Sequence, residues 1–537
     1  MLPKLPWLML VGGMVFTLGL QLYARNGVFF SGDGGLKALL TQQFATGDWH
    51  FALRLSAPDW VVGLWQQGLY PFTPPYVYER AGQHFITFPF PFSALTAPFY
   101  RVLGYKGLYV VPLLALWLIW IRFVQIGEQL RWRADVLAIS LGVVIFASPL
   151  TLYGAMYWEH TLAVCLVFWG MTLVLWPGDT TVSGPQALVA GSLLGLAVWF
   201  RSELICLAAI IVGLTFLQWI SRRAWLPTLH GKAHLFMAGI LVTIAVFFGL
   251  NHIIYGHFLG IHALQVVEES SISQQISQAV ANYKQLLNAL LQYFPFTLWV
   301  LAMTVLAGPG EWRESRQQII TTWLILLLFV LAVPLIIPPG AGGKQWGARF
   351  YLMIIPMLAL IGGIYMNDLL KQRGGWKRYF ILGSMAVAFV AGAELNVYHG
   401  TMTSYRDSDT NSTSLRYNYA PIAPAIAAIN QHSSPYIAMS HQFVAQQLWA
   451  ATPDKLFFLT ESTADVYTLA DGLYQQGHEQ FLYICYPHRP CPTPAESNPS
   501  VSAADTPLQL QFSDIGTFGK YPLYDVTISQ LVTAPGT

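Results

Sequence analysis

Apolar runs recur along this chain at close to the length that crosses a bilayer, about 20 residues of helix. They fall near 6–23, 86–104, 107–126, 134–153, 160–176, 187–200, 203–220, 233–254, 287–308, 318–338, 350–366 and 379–397. A backbone in lipid must satisfy its own hydrogen bonds, so such a series folds as helices packed side by side. Charged residues make up only 10% of the chain, against about 25% in a soluble domain. The sequence therefore predicts a polytopic α-helical membrane protein.

One run is expected not to span. Residues 88–104, "FPFPFSALTAPFYRVLG", carry Pro89, Pro91 and Pro98, which suit a broken, re-entrant or interfacial helix. Leaving it out places Arg122, Arg131 and Arg133, then Arg222, Arg223 and Lys232, then Arg313 and Arg316, then "KQRGGWKR" (371–378), all on one side. The positive-inside rule makes that side cytoplasmic. The expectation is about 11 transmembrane helices, N-terminus inside and C-terminus outside. The first run, with one lysine and no small-residue cleavage site, reads as a retained anchor.

The residues from Thr403 onward differ. They hold 11 acidic and 5 basic side chains, net −6, which leaves +8 for the rest. "PYIAMS", "KLFFLT" and "QFLYICY" read as buried strands alternating with helical "HQFVAQQLWAA" and "TADVYTLADGLYQQG". That order predicts a small parallel α/β domain. The expected division is 1–402 as membrane domain, with an outer loop at 24–106 bearing interfacial helices, and 403–537 as an extracytoplasmic α/β domain joined by a linker at 403–420. No glycine-rich phosphate fingerprint follows its first strand, and no basic stripe suits nucleic acid. Cys165 and Cys206 lie in apolar runs, whereas Cys485 and Cys491 would pair if the tail is outside.

Polar residues gather on the outer side in this topology. Asp33, in "SGDGGLKALLTQQF", either caps the helix that follows or acts as a base. Glu159, in the turn "MYWEH", either favours a helix dipole or faces a cavity. Arg201 and Glu203, in "FRSEL", suit an internal ion pair, or an arginine near an anionic headgroup. "GGKQWGARFY" brings Lys344 and Arg349 to the membrane edge, where a lipid phosphate is the natural anion. His252, His257 and His262 recur every five residues, which does not align them on one helical face for a metal.

These segments, in this order, resemble the GT-C class of polytopic glycosyltransferases, which includes protein O-mannosyltransferases and bacterial lipid A aminoarabinose transferases. The likeness rests on "SGDGGLK", "ITFPFPFSALTAPFYRVLG", "MYWEH", "LLGLAVWFRSELICLAA" and "GGKQWGARFYLMIIPML", and covers about 30–366. In the first loop the class often has two adjacent acids, whereas here Gly34 follows Asp33. The resemblance implies an enzyme of a bacterial inner or plasma membrane that uses a polyprenyl-phosphate-linked sugar at the outer face. It would transfer the sugar to a protein, lipid or glycan hydroxyl with inversion. Asp33 and Glu159 would then be catalytic, with Lys344, Arg349 and Arg201 at the donor phosphate. Glu203, Trp346 and Tyr351 would support them, with no metal or other cofactor required. The competing classes are a transporter and a non-enzymatic envelope assembly protein. Charges collected at one surface disfavour the former.

Overall fold

A computed structural model describes the chain except residues 1–3, 24–25, 30, 179–180, 222–225, 230, 262–271, 307–314, 338–345, 373–374, 403–421, 488–490, 492–507 and 531–537. Lys344, His262 and the whole of the expected linker at 403–420 lie outside the described residues.

The chain begins with α1 (Leu5–Tyr23). A long loop follows with α2 (Gly32–Ala45), α3 (Asp59–Leu64), the hairpin β1 (Val77–Arg80) and β2 (Gln83–Ile86), and α4 (Phe90–Leu103). Next come α5 (Val110–Gln129), α6 (Ala134–Phe146), α7 (Leu150–Gly154), α8 (His160–Leu175), α9 (Gly184–Phe200), α10 (Leu204–Ser221) and α11 (Ala233–Tyr255). The helical part ends with α12 (Ile272–Tyr293), α13 (Phe296–Leu306), α14 (Arg316–Ile336), α15 (Ile354–Gln372) and α16 (Trp376–Ala393). The tail carries α17 (Ala423–Gln431), β3 (Tyr436–Met439), α18 (Phe443–Leu448), β4 (Leu456–Leu459), α19 (Thr463–Gln475), β5 (Gln480–Ile484), β6 (Leu508–Phe518) and β7 (Tyr521–Gln530).

The chain forms two compact units, one of 1–23 with 108–403 and one of 24–107 with 404–537. In the first, the helical stretches containing α1, α5, α11, α14, α15 and α16 are long and apolar enough to cross a membrane. Four shorter apolar helices, α6, α8, α9 and α10, accompany them. Each segment expected to span contains one of these ten, with one exception. The run at 287–308 is bent by 90° between α12 and α13. Pro295 follows Phe294 at the bend, and proline offers no backbone donor and restricts the residue before it. α12 is also amphipathic, with Lys284, Gln285 and Asn288 exposed while Leu286 and Leu290 are buried, a pattern for an interface rather than for lipid.

The second unit joins the first loop to the tail. Of the broken, re-entrant or interfacial helix expected here, the first is not observed: α4 runs unbroken through Pro98, with Pro91 in its first turn where no donor is needed. Its polar side packs on α2. Ser93 Oγ donates to the Lys37 carbonyl at 3.1 Å, and Thr41 Oγ1 and Thr96 Oγ1 lie 3.4 Å apart. β1 and β2 pair antiparallel around Ala81 and Gly82, both at positive φ, as a tight two-residue hairpin turn requires.

The tail sheet has five strands in the order β4-β3-β5-β7-β6. β3, β4 and β5 are parallel, at the three positions expected, while β7 and β6 add an antiparallel hairpin. The sheet is therefore mixed rather than wholly parallel. The hairpin escapes a search for buried strands because β6 alternates buried and exposed residues and is exposed along much of its length. Cys485 and Cys491 form a disulfide with Cα atoms 5.6 Å apart, within the range such bonds need.

Candidate active site

In the membrane unit, three separate turns bring charge to one place. α9 ends at Arg201, whose extended backbone (φ −138°, ψ 103°) leaves the helix before α10 begins at Leu204. Arg201 Nε donates to Glu203 Oε1 at 2.7 Å, and its Nη1 donates to Glu159 Oε1 at 3.2 Å. The Arg201, Glu203 and Glu159 side chains are only 14%, 9% and 2% exposed. Burial by itself would lower the Arg201 pKa, but the charges of Glu203 and Glu159 outweigh it and hold the guanidinium above its ordinary value. Of the two readings open for Arg201, the ion pair is the one observed, and it takes in a second carboxylate from a distant turn.

Arg349 enters from a short 3-10 turn ahead of α15. Its guanidinium carbon lies 4.8 Å from the centre of the Phe350 ring, and that of Arg201 lies 5.2 Å from the same ring. Both distances suit cation–π contact. His160, Arg201, Glu203, Arg349 and Phe350 line a small, partly open cavity of about 20 Å³, whose remaining walls are aliphatic. His160 is 4% exposed, and its ring lies 4.9 Å from that of Trp158 and 5.4 Å from that of Tyr153. Sequence reasoning passed over His160 and Tyr153. Their signal was adjacency to Glu159 in an aromatic turn, which any buried turn can share.

Trp346 and Tyr351 are not among the residues lining this cavity. Trp346 Nε1 donates to Asn396 Oδ1 at 3.1 Å, and the indole meets Tyr293 edge-on at 4.7 Å. Gly400 lies so close that a Cβ there would come within 2.8 Å of the indole. Tyr351 is fully buried and donates its hydroxyl to the Val330 carbonyl at 2.8 Å. Among the described residues, no three histidine, cysteine, aspartate or glutamate side chains cluster as metal ligands would.

Asp33 belongs to the other compact unit. It is not the cap of its helix. Ser31 is, with extended backbone and a hydroxyl that accepts from the Gly34 amide, while Asp33 sits in the first turn. There a carboxylate gains from the helix dipole. One turn on, Lys37 shares the Asp33 face and is 2% exposed, its ammonium 4.5 Å from the centre of the Phe88 ring. Sequence reasoning passed over Lys37.

No protein-family model matches the chain, and the search of curated proteins gives no match. Solved structures do match. ArnT from Cupriavidus metallidurans bound to undecaprenyl phosphate aligns over 96% of this chain and 97% of its own, at 12% identity and a TM-score of 0.54. The apo state of the same protein gives the same coverage and identity with a TM-score of 0.51. At that identity the likeness is one of fold, and it runs through membrane helices and tail alike. The chain has the fold of the polytopic GT-C glycosyltransferases that its sequence resembles.

Proposed function

We propose that this protein transfers a glycosyl group from a polyprenyl-phosphate donor to an acceptor hydroxyl at the extracytoplasmic membrane face. The observation that carries the reading is the cavity lined by Arg349, Arg201 and Glu203, with Glu159 paired to Arg201 behind it, in a fold shared with a protein whose structure holds undecaprenyl phosphate.

The acceptor hydroxyl has a pKa far above neutrality and needs a base as it attacks, and Asp33 takes that proton. A new bond forms from acceptor oxygen to anomeric carbon, and the bond from that carbon to the phosphate oxygen breaks. The lipid phosphate leaves with the electron pair. A single displacement inverts the anomeric centre. Charge grows on the leaving phosphate, and Arg349 with Lys344 stabilises it. Arg201, already engaged by two carboxylates, holds Glu159 in place rather than binding the donor. Glu159 orients the acceptor and steadies the oxocarbenium-like carbon. These side chains supply the charge the reaction requires, and no cofactor enters the reading.

The purified protein in lipid discs, given a polyprenyl-phosphate-linked radiolabelled sugar and a mixture of candidate acceptors, is expected to release free polyprenyl phosphate and label an acceptor. An intact donor throughout would refute the reading. Arg349→Ala and Lys344→Ala are expected to weaken donor binding as well as turnover, since the ground-state phosphate is already anionic. A hydrogen bond to a charged group contributes about 1.5–3 kcal/mol, so the donor Kd should rise roughly 10- to 100-fold. Unchanged donor affinity in both variants would remove them from the phosphate site.

The proposed orientation has the N-terminus and the 371–378 cluster in the cytoplasm and the tail outside. The disulfide suits the tail to an oxidising compartment. Reporters fused after Lys377 and after Ser440 should therefore lie on opposite sides of the membrane. Finding both on one side would overturn the orientation.

A further inference from the structure

The two sides of α2 do different things. At about 100° per residue, Gly32, Gly35 and Gln42 lie along one face, while Asp33 and Lys37 lie along the opposite one. The glycine face is covered by the tail. A Cβ on Gly35 would sit 1.6 Å from the Gln446 carbonyl oxygen, and one on Gly32 would sit 2.4 Å from Gln446 Oε1. Real Cβ atoms do not approach so closely, so only glycine admits α18 at this depth. Farther along, Gln42 Nε2 donates to the Ala450 carbonyl at 2.8 Å. The segment 446–450 thus follows α2 from its first turn to its last.

α18 is itself held from two directions. Gln446 is fully buried and donates Nε2 to Gln442 Oε1 at 3.2 Å. Gln442 accepts from the Thr73 amide at 3.1 Å and donates to Thr73 Oγ1 at 2.7 Å, which ties it to the first loop. On the other side Gln447 Oε1 accepts the Tyr521 hydroxyl, which ties it to β7. The seat under α2 is therefore fixed to the sheet of the tail.

We propose that Gln446 is a positioning residue for Asp33, and that the tail domain sets the pose of α2 through it. The proposal rests on the reading that Asp33 is the base. Gly32 and Gly35 then have a purpose: they admit the tail on one face so that the other is held still.

The test uses the full-length protein in lipid discs, with hydrogen exchange over residues 31–45 and donor kinetics measured together. Gly35→Ala is expected to raise exchange across α2 about tenfold or more. It should lower kcat about 10²-fold, the scale of a small misplacement of a reacting group, with donor KM within about threefold. Gly63→Ala, where a Cβ meets nothing within 4 Å, should change neither quantity. If Gly35→Ala does not accumulate, Gln446→Ala serves. It keeps the carbonyl, removes the side chain from Gly32, and should lower kcat about tenfold with the same loosening of α2. Exchange over 31–45 unchanged in both variants would overturn the proposal, as would looser exchange with unaltered kcat. If the unaltered protein transfers no glycosyl group, the transfer reading falls separately, and exchange alone decides the seat.

Discussion

Asp33→Asn is expected to leave the protein folded and able to bind donor, while transfer falls roughly 10²-fold or more, the scale of losing a general base. The helix start should survive because Ser31, not Asp33, accepts the Gly34 amide. What is lost structurally is one carboxylate in the first turn, about 0.3–1 kcal/mol of dipole interaction. Thermal unfolding should therefore shift by no more than a few degrees. Asparagine matches aspartate in size and cannot accept the acceptor proton at neutral pH. Donor affinity and single-turnover transfer, measured on one preparation, separate the two effects. A folded Asp33→Asn protein with full transfer would leave the carboxylate as a dipole partner and require another base.

Arg201→Met is expected to be strongly destabilising. It leaves Glu159 and Glu203 buried at 2% and 9% exposure with no cation between them. Removing one partner of a buried ion pair costs about 3–5 kcal/mol, a large share of the 5–15 kcal/mol typical of a folded domain. Thermal melts of wild type and variant at neutral pH would show it. Replacing both glutamates by glutamine in the Arg201→Met background should restore part of the loss. A variant as stable as wild type at neutral pH would show that water reaches the cluster.

Residues close in sequence announced most of the architecture. Bilayer-length apolar runs determine that the chain is a bundle of membrane helices, because lipid offers a backbone no other partner. The three parallel strands of the tail were legible as short apolar runs between helical ones, since strands buried on both faces carry no alternation. Arg201 and Glu203 could be paired on sight, being two residues apart in an apolar setting. Glu159 could not be given to the same guanidinium, because it stands 42 residues before Arg201 with the whole of α8 and α9 between.

Tertiary structure decided the rest. The bend at Pro295 and the unbroken passage of α4 through Pro98 show one residue type with opposite outcomes. Local sequence marks the missing donor but not whether neighbouring packing holds the helix straight. Local sequence does not show that Lys37 is buried, whereas the fold sets Phe88 over its ammonium and packs α4 against its turn. The glycines beside Asp33 were visible in "SGDGG", and their rarity inside helices marked the stretch as special. Their purpose was not visible, because the Gln446 carbonyl that presses on Gly35 lies more than 400 residues away. A sequence records that a side chain is missing at a position. Only the fold shows what occupies the space in its place.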